Sequence, residues 1–176
     1  VGLPTGGATN TVLYKTGSAN YATAWSNVTN AMLSTTAGEI GGAWVTYAPS
    51  VTNITVATSS FDAAYLQVGK TVYFRIQYTM TANPTAVGLI QFSLPVAAVN
   101  DINPGTATAV FLDSSAGGNG VFSASVVFAA GPPTRVVLRA VNSAGTYAVG
   151  TTPSLTIPFA WASGDNIRIA GVYQAA

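Results

Sequence analysis

Apolar and polar positions alternate with a period of two along most of this chain. The clearest run is 70–80, where Val72, Phe74, Ile76, Tyr78 and Met80 alternate with Tyr73, Arg75, Gln77 and Thr79. Successive side chains of a strand point to opposite faces, so the first set faces a core and Arg75 and Gln77 face away from it. A strand over 87–94 follows the turn signal Asn83-Pro84. Another over 107–112 ends at Asp113, and the Gly-rich run 114–120 leads into 121–128, where Phe122, Ala124, Val126 and Phe128 share one face. Gly131-Pro132-Pro133 is a hard break before strands at 135–141, 155–159 and 167–173, while 51–56 and a fainter 63–67 precede the clearest run.

About eight strands with Gly, Pro and Asn between them, and no long amphipathic helix, predict an all-β protein. Strands at this spacing without intervening helices imply an antiparallel β-sandwich or barrel, and a two-sheet, jelly-roll-like sandwich is the expected form. Residues 1–42 differ from the rest: they are rich in Gly, Thr, Asn and Ala, with short apolar groups at Val12-Leu13-Tyr14 and Trp25. They read as an extended N-terminal connector or stalk segment, with a brief helical turn over 26–33 capped by Ser26 or Asn27. Gly41-Gly42 before Trp44 sets the boundary, giving a connector over 1–42 and a β-sandwich domain over 43–176. No repeat of solenoid or propeller period is present.

Composition narrows the function. Apolar residues make up 49% of the 176, yet charged residues only 6%, against roughly 25% in ordinary soluble domains. The polar surface must come from Thr, Ser, Asn, Gln and backbone, and such neutral surfaces give up little desolvation energy when they associate. The net charge of +1, with Arg135 and Arg139 the only basic pair close in sequence, leaves no nucleic-acid footprint. The uncharged groups between Ile76 and Asn100 are broken by Asn83-Pro84 and Pro95, so no helix of about 20 residues spans a bilayer there and no membrane insertion is expected.

The chain has no cysteine and no histidine, which excludes disulfide frameworks, Cys/His zinc sites, Ser-His-Asp triads and Cys-His dyads. Its first residues, Val1-Gly2-Leu3-Pro4, lack the basic end and apolar core of a signal peptide, and a processed or truncated product with further material upstream is expected.

The carboxylates are Glu39, Asp62, Asp101, Asp113 and Asp165, each in or before a turn signal, where Asp caps or bonds its own backbone. A glycosidase would need two of them facing each other across a cleft. Calcium could be held by oxygens at Asp101-Ile102-Asn103 or Asp113-Ser114-Ser115, although neither is a dense cation loop. Turn chemistry is the simpler reading at every one of these positions, so no catalytic residue, no metal ligand and no cofactor is assigned, and the chain is not expected to be an enzyme.

Three tryptophans and eight tyrosines raise the question of stacking on sugars. Trp25, Trp44 and Trp161 lie near element ends, where an aromatic ring commonly closes a core or a subunit seam, and packing is the reading taken for them. Asn27-Val28-Thr29 and Asn53-Ile54-Thr55 match the glycosylation pattern by chance in a Thr- and Asn-rich chain, and Gly6-Gly7 lacks the Lys-Ser/Thr partner of a phosphate loop.

Gly6-Gly7, Val12-Leu13-Tyr14-Lys15-Thr16 and Tyr21-Ala22-Thr23-Ala24-Trp25 together resemble the "GG…VL.K.S…Y…W" segment of bacteriophage tail-fibre and minor tail proteins. Trp44-Val45-Thr46-Tyr47-Ala48-Pro49 resembles the "W..YTP" opening of their C-terminal β domain. Tyr65-Leu66-Gln67-Val68-Gly69-Lys70-Thr71-Val72 resembles its "Y.QIGKTV" strand, and Phe92-Ser93-Leu94-Pro95 its "FSLP" strand end. Pro158-Phe159-Ala160-Trp161 and the strand ending Tyr173-Gln174-Ala175-Ala176 complete the order, with Gln174 where many relatives carry Glu.

This resemblance implies a virion component, usually a homotrimer, at a tail fibre, tail tip or capsid surface. Its β domain would recognise a bacterial surface glycan or protein, alongside other virion proteins as partners. A saccharide is the favoured receptor, and no receptor-binding residue is named by the resemblance. The alternative is a head fibre or capsid decoration protein that stabilises a shell without binding a receptor. A depolymerase and a bacterial cell-wall adhesion domain are more distant readings.

Overall fold

The computed structural model describes residues 11–15, 17–18, 23–27, 43–101, 103–129, 133–143 and 145–176. The chain divides into two compact units, Val1–Gly42 and Ala43–Ala176. In the first, strands β1 (Thr11–Lys15) and β2 (Thr23–Asn27) form an antiparallel pair with Leu13 opposite Trp25. The segment read as an extended connector therefore contains a hairpin-like ladder. Ser26 and Asn27 belong to β2 rather than to a helical turn, and the remainder of that turn, like Glu39, lies outside the described residues.

The second unit is antiparallel β throughout. Its strands are β3 (Val45–Thr46), β4 (Val51–Val56), β5 (Ser59–Val68), β6 (Thr71–Met80), β7 (Pro84–Ser93), β8 (Gly105–Leu112), β9 (Val121–Phe128), β10 (Arg135–Asn142), β11 (Val149–Thr151) and β12 (Asn166–Gln174). They form one continuous ladder in the order β3-β5-β6-β12-β8-β9-β10-β7-β4, with β11 added beside β10.

The ladder's two outermost strands, β3 and β4, are consecutive in the chain. Laid flat, the eight gaps between nine strands would separate them by about 38 Å. The five Cα steps from Thr46 to Val51 reach at most about 18 Å. The sheet must therefore curl until its edges approach, and the linking residues record that closure. The Tyr47 amide donates to the Ala63 carbonyl on the β5 side, while the Ser50 carbonyl accepts from the Ser93 amide on the β7 side, at 3.1 and 2.9 Å.

Curling brings the alternating apolar face inward. Val72, Phe74, Ile76, Tyr78 and Met80 of β6 are all buried, as the alternation predicts, and they meet Ile90, Phe92, Val136, Leu138, Ile167 and Ile169. Rings from opposite parts of the ladder touch: Phe61 of β5 lies 6.4 Å from Phe92 of β7, and Phe128 of β9 lies 5.8 Å from Tyr173 of β12.

Two short links show why the sequence turns where it does. Gly69 has φ of 59° and opens the two-residue β5–β6 loop, a conformation that a side chain strongly disfavours. Gly171, opposite Phe74 in β12, leaves no room for a Cβ, which would sit 2.5 Å from Ala107 Cβ and 2.8 Å from Phe74 Cε1.

The stretch 155–159, expected as a strand, is instead a tight turn with a single bridge between Ser154 and Ile157. Phe159 and, just beyond the turn, Trp161 reach the core from a loop with tilted rings 4.4 Å apart, while Leu155 and Ile157 stay exposed, and Trp161 Nε1 donates to the Ile157 carbonyl at 3.1 Å. Three-residue β11 and two-residue β3 were too short for periodicity to reveal.

The crowding at Gly171 gives a test. Gly171→Val is expected to lower unfolding free energy by about 1–3 kcal/mol through overpacking against Phe74 and Ala107, read as a lower urea midpoint. The same change at exposed Ala170 should leave the midpoint within experimental error.

Candidate functional site

The outward face of the β3-β5-β6-β12-β8 part of the ladder gathers side chains in register. One row across the strands reads Asp62, Gln77, Arg168, Val110 and Ser123. The row beside it runs Thr46, Ala64, Arg75, Ala170 and Thr108. The next runs Leu66, Tyr73, Val172 and Thr106, with Trp44 next to its β5 end. Antiparallel pairing places directly opposed residues on the same face, which is how Arg75 and Arg168, distant in sequence, come to share a surface.

Asp62, Arg75, Gln77 and Arg168 line a shallow groove of about 210 Å³ over the backbone at Ile76 and Ile169. Trp44, 47% exposed, stands beside it with the Arg75 guanidinium carbon 5.3 Å from its ring centroid, a cation–π contact. Ala64 is covered in this row although it lies outside the core cluster. Tyr73, 45% exposed, extends the aromatic surface along β6. Period-two alternation placed Arg75 and Gln77 on this face. It could not place Arg168 and Asp62 beside them, because strand register is a tertiary property.

The three tryptophans separate. Trp161 is core packing, as expected, whereas Trp44 is presented at the surface on the charged face, and Trp25 is partly exposed in β2.

The carboxylates separate as well. Asp165, with 0% of its surface exposed, is a fold staple: the Ser114 amide and hydroxyl donate to its Oδ1 at 2.9 and 3.0 Å, and the Ala162 amide donates to its Oδ2 at 2.6 Å. It ties the β8–β9 connection to the start of β12, while its carbonyl accepts from the Met80 amide at the end of β6. Asp113 caps the short 3-10 helix 114–119, accepting from the Ser115 amide and hydroxyl at 2.9 and 2.6 Å. The Ser115 hydroxyl holds the Asp113 carboxyl below its ordinary value, aided by the Ser115 and Ala116 amides and opposed by partial desolvation.

Asp101 lies in an exposed bend, where its amide donates to the Val99 carbonyl at 3.0 Å. Among the described residues no group of three or more Asp and Glu side chains is placed to hold a metal ion. The Asn53 amide nitrogen, one of the two glycosylation-pattern positions, donates to the Leu89 carbonyl at 2.7 Å from a β-bulge where Asn53 has φ of 64°.

A second concavity lies at one end of the curl, about 400 Å³, lined by Phe122, Ala140, Val141, Ile157 and Pro158 with Asn142, Ser143 and Thr151 at its polar edge. Around it the chain carries no charged residue from Ala140 to Gly164. Val141, Val149, Leu155 and Ile157 are exposed, and Tyr147 is 80% exposed.

Inside the curl, burial pushes the Tyr173 hydroxyl up to about 12 and the Tyr47 hydroxyl higher still, with each further raised by a neighbouring tyrosine. Both are neutral phenols at physiological pH. Tyr173 uses its hydroxyl structurally, donating to the Val96 carbonyl at 2.7 Å and accepting from the Val96 amide at 3.2 Å. Among the described residues no helix is long and apolar enough to cross a membrane.

Two outcomes test these assignments. Asp165→Asn should cost about 1–3 kcal/mol by urea denaturation, because the amide group cannot accept from both sides and leaves one buried N–H unpaired. Because the folded value of Asp113 is depressed, its contribution to stability is present above the unfolded value and is lost as pH falls through the folded one. A carboxyl-carbon NMR titration should find Asp113 titrating below its ordinary 3.8, and Ser115→Ala should move it upward.

Comparison with protein-family models, with curated proteins and with solved structures finds no match to this chain.

Proposed function

We propose that the chain is a structural module of a bacteriophage virion, at a tail fibre or tail tip, that attaches to the bacterial surface through a saccharide and acts as a homotrimer. The observation that carries this reading is the outward face of β5, β6 and β12. A chain with only eleven charged residues sets Asp62, Arg75 and Arg168 beside Gln77 and an exposed Trp44 on one surface. Sugars offer hydroxyl edges to carboxylate, amide and guanidinium groups and apolar ring faces to aromatics, so this mixture of groups suits them. The ordered strings from Gly6-Gly7 to the final strand, which resemble tail-fibre and minor tail proteins, support the same reading. A shallow groove binds weakly on its own, and several copies on one particle supply useful strength.

A second reading, a head fibre or capsid decoration protein, is favoured by the uncharged end of the curl. Exposed Tyr147, Val149, Leu155 and Ile157 around a neutral concavity suit contact with other virion subunits. Antibody labelling of capsids with none on tails would decide for it.

Light scattering coupled to size exclusion should give the mass of three chains. Fluorescently labelled protein at micromolar concentration should decorate cells of a susceptible bacterial strain and slow infection. Trp44→Ala should reduce decoration at least severalfold without lowering the melting temperature. A failure to stain any strain that the phage infects would sink the attachment reading and leave the fold untouched.

A further inference from the structure

We infer that the Asp62–Gln77–Arg168 groove with Arg75 binds an acidic saccharide, a sugar chain bearing carboxylate groups, rather than a neutral one. This rests on the attachment reading above and names the chemistry of its ligand.

The argument is one of unbalanced charge. The four rows that cross the outward face are, from β5 to β8 or β9, those containing Tyr73, Arg75, Gln77 and Thr79. Within them only Asp62, Arg75 and Arg168 are charged, two cations to one anion. Asp62 and Arg168 are separated by Gln77, two strand spacings or about 10 Å between backbones. Asp62 therefore does not neutralise Arg168 through a close pair. No hydrogen bond within the protein is made by the side chains of Asp62, Gln77 or Arg168 among the described residues, whereas Arg135 on β10 directs a nitrogen to Gln91 at 3.4 Å. The groove thus holds donors and an acceptor that face solvent unspent.

Guanidinium is the group that matches a carboxylate with two parallel N–H bonds. Arg75 is already held against Trp44, so it loses less freedom on binding than a loose side chain would. Arg168 on β12 is the diagonal neighbour of Arg75 across the β6–β12 pair, and Gln77 directly opposite it, with Asp62 on the β5 flank, can take sugar hydroxyls. Two cations are too few for a polyphosphate track, since nucleic-acid affinity grows with the number of phosphates neutralised. A saccharide whose carboxylates are spaced by sugar rings, with hydroxyls between, uses all four side chains.

The test uses the full chain in affinity electrophoresis and calorimetry against polygalacturonate, hyaluronate and polysialate, with dextran as the neutral polymer. At least one acidic polymer should bind about tenfold more tightly than dextran, as expected for charge-assisted bonds, and binding should weaken as salt is added. Arg168→Gln and Arg75→Gln should each reduce acidic-polymer affinity about tenfold, at unchanged melting temperature. Asp62→Asn should retain it.

Equal binding of dextran and the acidic polymers, or full affinity in both arginine variants, overturns the inference; if cells are still decorated, the attachment reading survives. No binding to any polymer overturns it as well, and loss of cell decoration would then remove the attachment reading too. Single-stranded DNA bound as tightly as the best polymer shows a general polyanion surface and also overturns it. A groove closed by a second copy would appear as acidic-polymer binding only after dilution to monomer, with both arginine variants monomeric at all concentrations, and that result counts against the inference.

Discussion

The short passage from Thr46 to Val51 governs the second unit. It joins strands that sit at opposite ends of the hydrogen-bonded order, and its length is less than half of what a flat sheet would require. Everything else follows from that mismatch. The sheet has to wrap, the face inside the wrap has to be filled by large side chains, and the tight points have to be glycine. Phe74, Tyr78, Phe92, Phe111 and Tyr173 fill it, while Gly171 yields the space that Phe74 and Ala107 occupy. Wrapping also deals with the exposed edges that make open sheets prone to aggregation, because each edge strand is short or bulged: β3 has two residues, and β4 shifts register at Asn53.

Wrapping separates the chain's chemistry into inside and outside. The fully buried carboxylate, Asp165, accepts three hydrogen bonds, from the Ser114 amide and hydroxyl and from the Ala162 amide. Buried charge is tolerated only when its hydrogen bonds are satisfied. Asp62, by contrast, lies on the outside. The guanidiniums of Arg75 and Arg168 are outside with it, because β6 and β12 pair along nine positions and put odd-numbered β6 residues opposite even-numbered β12 residues. A few charges thus acquire a common surface through register, where sequence distance would have kept them apart.

This explains how much was legible beforehand. The inward set of β6, the outward direction of Arg75 and Gln77, and the all-β antiparallel class all follow from alternation, a property local to one strand. The expected strand over 155–159 failed for the complementary reason. Leu155, Ile157, Phe159 and Trp161 alternate, but Pro158 in their midst cannot give a ladder hydrogen bond, and the rings serve the core from a turn instead. The candidate groove was invisible as a site because its parts come from β5, β6 and β12, and only pairing register unites them. Trp44 was read as packing since position near an element end is common to core-closing and surface rings; its contact with Arg75 separates the two.

The wrapped sheet leaves two kinds of surface with different physical consequences. At the charged groove, any ligand would be selected by complementary charge and hydroxyl pairing, whose strength falls with salt. The uncharged end bearing Tyr147, Val149, Leu155 and Ile157 discriminates by shape and by area removed from water, and salt does little to it. Under the proposed virion role, the neutral end would serve contacts between subunits and the charged groove contact with an outside ligand. Because they are separate on one curled sheet, a side-chain change in the groove need not disturb the core, the Asp165 staple or the neutral end. Such independence is expected only where the two surfaces share no residue, and the residues lining the groove and those lining the end concavity do not overlap.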